Sequence, residues 1–229
     1  MTSVGVRDEA FSRLVYENPL SSAADVEGFV MEGSGATTFP ADRLRLETLR
    51  DPSEGQKANI VFWCPVDFTS DVCVEWDFWP IREPGLCIVF FSTIGRNGKS
   101  IFDDSIARRE GTYSQYHSGD IDAYHLSYFR RNPGAERAFH LCNLRKSFGF
   151  HLVAQGADPI PSVIDAAPPY ALRLSKLGPE ISFSVNDLRV LEWCDDERHG
   201  PVLGGGKIGF RQMAPMIAEY ANLYVYTTE

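Results

Sequence analysis

The sequence predicts an all-β fold, a two-sheet antiparallel β-sandwich that takes in residues 1–229 as a single domain. Three observations carry this. Short runs of β-branched and aromatic residues, punctuated by Gly, Pro, Asn and Asp, recur along the chain. No amphipathic segment of 3.6-residue period extends beyond a few turns. The stretch YALRLSKLGPEISFSVNDLRVLEWCDD reads as strand, Gly-Pro turn, strand, Asn-Asp turn, strand, which is a meander.

Taken in order, the runs bounded by turn formers place strands at 29–32, 43–49, 59–64, 71–80, 86–93, 112–117, 123–130, 137–143, 150–154, 169–176, 180–186, 189–193, 207–213 and 219–227. The pair 112–117 and 123–130 is separated by the turn signal Ser118-Gly119-Asp120. In ISFSVN, Ile181, Phe183 and Val185 alternate with Ser182, Ser184 and Asn186, as in a strand with one face in a core and one in water. GKIGFRQM repeats the pattern, with Ile208 and Phe210 inward and Gly209 and Arg211 outward. So many strands in one chain of this length require two packed sheets. Long turn-rich loops at 94–111 and 155–169 are of the kind that carry function.

Charge and composition narrow the function classes. Lys+Arg 22 against Asp+Glu 31 gives −9, so there is no basic footprint to hold a nucleic-acid backbone. Local arginines can still hold an acidic sugar once charges lie within about one Debye length, ~8–10 Å. No stretch approaches the ~20 apolar residues of a membrane span, and MTSVGVRDEAFSRLVYENPL lacks the pattern of a signal peptide. Cys64, Cys73, Cys87, Cys142 and Cys194 include no CxxC and read mostly as buried thiols of a reducing compartment. The expectation is a cytoplasmic protein; a chain stripped of a signal peptide would look the same.

The stretch GTYSQYHSGDIDAYHLSYFRRN concentrates groups that carry protons, stack on rings and hold anions. If 112–117 is a strand, Tyr113, Gln115 and His117 share one face. In the next strand His125 and Ser127 face opposite to Tyr124, Leu126, Tyr128 and Arg130. The two histidines then meet across a hairpin, where imidazole titrates near neutral pH without a large shift. The plainer alternative is one buried, satisfied histidine and one exposed one. Arg130, Arg131, Arg145 and Arg211 are the candidate anion holders, because a guanidinium grips a carboxylate with paired hydrogen bonds that lysine cannot make. For each arginine singly, the alternative is an ion pair with a nearby Asp or Glu.

Other patterns carry less. Asp103, Asp104, Asp120 and Asp122 supply oxygens for calcium but lack the spacing of a recognised loop, and turn-forming Asp explains them more simply. His117 and His125 have no partners at zinc spacing, and VLGGGKIGF leads into a strand rather than a helix N-terminus, so it is no phosphate loop. No cofactor is expected. Trp63, Trp79 and Trp193 are either stacking platforms for sugar or core residues.

QYHSGDIDAYHLSYFRR, NLRKSFGFHLVAQGADP and GKIGFRQMAP resemble the YesU-like family, a domain of unknown function associated in bacteria with pectic polysaccharide utilisation. The closing order of Val-Asn-Asp turn, strand, Gly-Gly-Gly-Lys-Ile-Gly-Phe-Arg and Glu-Tyr-Ala-Asn-Leu-Tyr-Val is similar to the last meander of concanavalin A-like lectin and glucanase sandwiches. The resemblance implies a concanavalin A-like jelly roll and a role with carbohydrate. In DVCVEWDFWP, Glu75 and Asp77 resemble the start of the Glu-x-Asp-x-x-Glu strand of retaining laminarinase-type glucanases, but Trp79 and then Pro80 follow, and no glutamate stands where their acid would be. That departure argues against a standard retaining hydrolase. The expectation is therefore an enzyme acting on uronate-containing oligosaccharide or polysaccharide, by elimination or unusual hydrolysis, in the concave groove. His117 or His125 would be the base and Tyr128 the acid. Gln115, Tyr124, Arg130, Arg131, Arg145, Arg211 and Gln212 would hold substrate. The alternative is a sugar-binding module without chemistry.

Overall fold

The computed structural model describes residues 10–132 and 140–228. In chain order its strands are β1 (Arg13–Asn18), β2 (Val30–Glu32), β3 (Gly35–Thr38), β4 (Leu44–Thr48), β5 (Ile60–Trp63), β6 (Val72–Arg82), β7 (Leu86–Gly95), β8 (Ile121–Arg130), β9 (Leu141–Ser147), β10 (His151–Ala157), β11 (Tyr170–Leu177), β12 (Glu180–Val185), β13 (Leu188–Cys194), β14 (Lys207–Met213) and β15 (Ile217–Thr227). One turn of helix, α1 (Ser114–His117), precedes β8. The strands form two antiparallel sheets. The first has the order β13, β12, β11, β6, β15, β4, β3, with β1 also paired to β15; the second has the order β10, β9, β8, β7, β14, β5, β2.

The alternating strands bury one face each between the sheets. Trp76 of β6 meets Phe210 (5.7 Å) and Tyr128 (5.6 Å) from the opposite sheet, and Phe78 meets Tyr128 edge-on at 5.3 Å. Tyr128 and Tyr124 therefore belong to the inter-sheet core, not to a substrate groove. The Tyr124 hydroxyl donates to Asp195, whose carboxylate also pairs with buried Lys146 at 2.6 Å.

Three expectations need correction. Residues 112–117 are not a strand: they end in α1, so alternation does not govern Tyr113, Gln115 and His117. β1 and β3 went unread because neither alternates cleanly; β1 is mostly exposed along its length and is held by its ladder to β15. Of the expected strand 137–143, residues 137–139 lie outside the described residues, and β9 runs on to Ser147.

The second sheet is apolar on its outer side as well. Val61, Trp63, Ile88 and Phe90 there are covered by Ile101, Ile106 and Tyr116 from the segment between β7 and β8. Gly209 makes this packing possible, since a Cβ on it would sit 2.3 Å from Trp63 Cε3. Two arginines latch the segment down. Arg109 donates to both Glu32 oxygens (2.6 and 3.2 Å) and to Ile101 O (3.0 Å). Arg211 Nη1 donates to Gly111 O (2.7 Å).

Arg131 also proves structural. It is fully buried, its Nη1 donating to Asp158 Oδ2 (2.7 Å) and its Nη2 to Ile160 O. Breaking a buried pair by removing one partner strands the other charge. Asp158→Ala should therefore lower the unfolding free energy by about 3–5 kcal/mol in urea titration. A loss under about 1 kcal/mol, the scale of a surface pair, would contradict the assignment.

Candidate functional site

Beyond the covering segment, the outer face of β8, β9 and β10 turns polar. In register, His125 lies between Phe90 and Arg145, and Ser127 between Ile88 and Asn143. Leu152 and Gln155 of β10 continue these rows opposite Arg145 and Asn143. An irregularity at Cys87/Ile88 resets the alternation of β8, turning Phe129 into the core and Arg130 outward. Asn143 presents its amide oxygen to Arg130, accepting from Nη1 (2.9 Å) and Nη2 (3.2 Å).

The edge of the covering segment borders this face through α1. Helical spacing sets Tyr113 and His117 on one side of the turn, with the rings edge to face at 5.1 Å. The same geometry sends Gln115 elsewhere: its Oε1 accepts from Glu110 N at 2.8 Å. From the β9–β10 hairpin, Phe150 stacks on His117 (4.5 Å between centroids) and meets Tyr113 edge-on (5.4 Å). Arg145 lies 3.7 Å over the Phe150 ring and donates to Phe150 O at 3.0 Å.

A chain of hydrogen bonds fixes the tautomer of His125. Ser147 Oγ donates to Gly149 O (3.0 Å), so it accepts from His125 Nε2 (3.0 Å), and Nδ1 then accepts the Tyr113 hydroxyl proton (2.7 Å). His125 is 1% exposed, and burial, with Arg145, His117 and Arg211 adding to it, holds its pKa well below 6.5. It is neutral, satisfied on both nitrogens and not open to substrate as a base. Burial pushes the Tyr113 phenol up to about 12, against the pull of Arg211, Arg145 and Arg130. The pair therefore keeps its proton on Tyr113.

His117 is the reachable titrating group. Half-buried, it is lowered from 6.5 by desolvation and then by Arg145 and Arg211, so the imidazole is uncharged at neutral pH. Its Nδ1 engages Ser118 Oγ at 2.7 Å. Arg145 and Arg211 act on Tyr113, His117 and His125 alike, and His117 also acts on His125.

The remaining expected residues fall elsewhere. Arg211 is on the predicted outer face but has no exposure, sealed under the covering segment against Tyr113 and Tyr116 (4.7 and 5.3 Å to the ring centres). Gln212 is buried and donates to Leu46 O (3.1 Å) of the opposite sheet. Tyr128 is buried among aromatic rings, and burial raises its pKa well above 10, which removes it as an acid for substrate. Trp63 is buried under the covering segment, Trp79 lies under Arg43 (4.7 Å), and Trp193 packs edge-on to Tyr124. Glu75 pairs with Arg173 (2.8 Å), and Asp77 accepts from Asn222 (2.7 Å). Asp103 holds Lys99 and Ser105, while Asp120 and Asp122 accept from the backbone of Ala107 and Phe148. Among the described residues no three His, Cys, Asp or Glu side chains converge as a metal site.

Sequence reasoning missed Tyr113 and Phe150 as site residues. The available signal was the four-residue spacing of Tyr113 and His117, which is a helical neighbour distance.

The buried neutral His125 has a consequence for stability. Its folded pKa lies below its unfolded one, so below about pH 6.5 the unfolded chain binds a proton that the folded chain refuses. The contribution is intact above that pH and declines as pH falls, by about 1.4 kcal/mol per pH unit for one proton. Urea titrations at about pH 7 and about pH 5 should show a smaller loss for His125→Gln than for the parent chain. Equal losses would mean that His125 takes up its proton in the folded state.

Residues 13–225 match the family model described as a domain of unknown function, DUF1961, and the chain belongs to that family. It is 52% identical over 213 residues to the uncharacterized protein YesU of Bacillus subtilis (strain 168), covering 93% of this chain and 94% of that one. Its fold is similar to the crystal structure of a protein of unknown function with galectin-like fold from Bacillus subtilis, at TM-score 0.91 and 51% identity over 95% of this chain and 97% of that one. At 15% identity and TM-score 0.52 it also shares its fold with the carbohydrate binding module CBM66 from Bacillus subtilis, over 87% of this chain and 96% of the module.

Proposed function

We propose that this DUF1961 protein binds a carboxylated, uronate-containing saccharide on the outer side of the second sheet where α1 meets the β9–β10 hairpin, against Phe150, Tyr113 and His117. One observation carries the proposal. Arg145 lies 3.7 Å over the Phe150 ring and Arg211 4.7 Å from the centre of the Tyr113 ring, which sets two guanidinium charges beside His117 in a chain of net charge −9. A carboxylate entering such a field gains charge-assisted hydrogen bonds that a neutral sugar does not. Phe150, 47% exposed with Arg145 and His117 against its ring, offers an apolar edge for the C–H side of a pyranose. The sugar-binding name of the CBM66 neighbour is consistent with this use of the fold, although fold does not fix function.

A second reading adds chemistry, and the neutral, reachable His117 favours it. With the uronate carboxylate held by arginine, its C5 proton is acidified. The imidazole takes that proton, the C4=C5 double bond forms as the C4–O bond breaks, and the leaving oxygen takes up a proton from solvent water. Tyr128 and His125 have no part in this, since neither reaches substrate. Tyr113 is a positioning group whose hydroxyl proton is committed to His125.

Calorimetry with a uronate oligosaccharide and its neutral counterpart tests the binding. Arg145→Lys keeps the charge but loses the fork geometry, so uronate affinity should fall by on the order of 1–3 kcal/mol and neutral-sugar affinity by much less. Equal weakening of both would contradict the proposal. For the chemical reading, absorbance of an unsaturated uronate should appear with the parent chain and vanish in His117→Ala. Binding without any absorbance change leaves the protein a binding module.

A further inference from the structure

We infer that His151 and His199 form a pH-sensitive clamp that holds the β9–β10 hairpin closed at neutral pH and releases it in acid. Neither ring takes part in the arginine-flanked site, but the hairpin they hold carries Phe150.

His151 opens β10, and His199 lies in the connection between β13 and β14. Their rings stack nearly parallel, 3.9 Å between centroids and 10° between planes, and both are half-buried. His151 lies against the hairpin backbone, so that a Cβ on Gly149 would sit 2.3 Å from its Nε2. Gly149 N in turn donates to His117 O at 2.7 Å, and the next residue, Phe150, stacks on the His117 ring. One ring contact therefore joins a connection remote in sequence to the hairpin tip.

Histidine is the side chain whose ordinary charge change falls between about pH 5 and 8. Two neutral imidazoles stack as other aromatic pairs do, and a single imidazolium over a neutral ring is still attracted to it. A second proton sets like charges face to face and makes the contact repulsive.

The charged groups around the pair already have other partners. Lys146 of β9 pairs with Asp195 (2.6 Å), and Arg145 lies over Phe150. In the connection, Arg198 pairs with Asp196 (3.2 Å) and Glu197 Oε1 accepts from Val202 N (3.5 Å). Asp122 of β8 accepts from Phe148 N (3.1 Å), and His117 of α1 is the remaining titratable neighbour of the hairpin. Among the described residues no carboxylate forms an ion pair with either stacked ring to offset a second charge.

The two sides of the clamp are not held equally. The connection has anchors of its own, Gly200 O accepting from Lys146 Nζ (2.6 Å) and Leu203 N donating to the Tyr124 hydroxyl (3.0 Å). Repulsion between the rings therefore lifts the hairpin tip and takes Phe150 from His117. The loosening of a saccharide site that follows rests on the proposed function; the clamp itself does not.

Hydrogen exchange of the Gly149 amide in the full chain, expressed as protection relative to the unstructured rate at each pH, tests the clamp. Between about pH 7 and about pH 5 the parent should lose protection there by about tenfold or more. His199→Phe keeps a stacked ring that cannot take a proton, so its protection should stay high at both pH values. His199→Ala removes the ring and should leave protection low at both. His117 and His125 are intact in each variant, so a fall caused by their protonation would persist in His199→Phe. The readout needs no sugar and stands apart from failure of the saccharide proposal. Protection that does not change with pH in the parent, or that falls in His199→Phe as it does in the parent, overturns the inference.

Discussion

The site depends on the burial of one charge, the guanidinium of Arg211. It leaves water on the outer face of the second sheet and is repaid by Gly111 O (2.7 Å), Gln56 Oε1 (3.2 Å) and the faces of Tyr113 and Tyr116. Gln56 Oε1 also receives Asn59 Nδ2 (2.9 Å) and Tyr113 N (3.3 Å), so one carbonyl ties the chain before β5 to the start of α1. Gly111 is required at this junction: its φ is +91°, and a Cβ there would lie 1.9 Å from Asn59 O. Without the arginine, the carbonyl of Gly111 and the amide of Gln56 would lose the charge that joins them, which loosens the place of Tyr113 and His117 beside Phe150.

Much of this organisation was legible in the sequence, for reasons particular to each element. The meander β11 to β13 was plain because Ile181 and Phe183 alternate with serines between two turns. Alternation also put His125 and Ser127 on the face opposite Tyr124 and Tyr128, as the structure has them. It could not say which face was core. Both faces of β8 are covered, one by the first sheet and one by the segment carrying Tyr116, so polarity along the strand did not mark the outside.

The remaining differences share a cause, contacts remote in sequence. TYSQYH has a strand-like composition, but Tyr116 of the covering segment is drawn onto the outer face of the second sheet against Trp63 and Phe90, which turns the chain into α1. Arg211 was correctly assigned an outward direction, yet the cover over it comes from residues about a hundred positions away. Arg131 and Gln212 are likewise bound to Asp158 and Leu46, pairings that no local pattern announces. The histidines do come near one another, through Tyr113 rather than across a hairpin.

The central claim is that the arginine-flanked edge of α1 receives an anionic sugar at His117 while His125 stays buried and neutral behind Tyr113. Ring ¹H–¹⁵N NMR of the two histidines, recorded through a pH titration with and without a uronate oligosaccharide, tests this most directly. The account predicts that His125 remains the Nε2–H neutral tautomer in both cases, and that the bound carboxylate raises the pKa of His117. A His117 resonance indifferent to the sugar, together with a His125 that titrates normally, would contradict it.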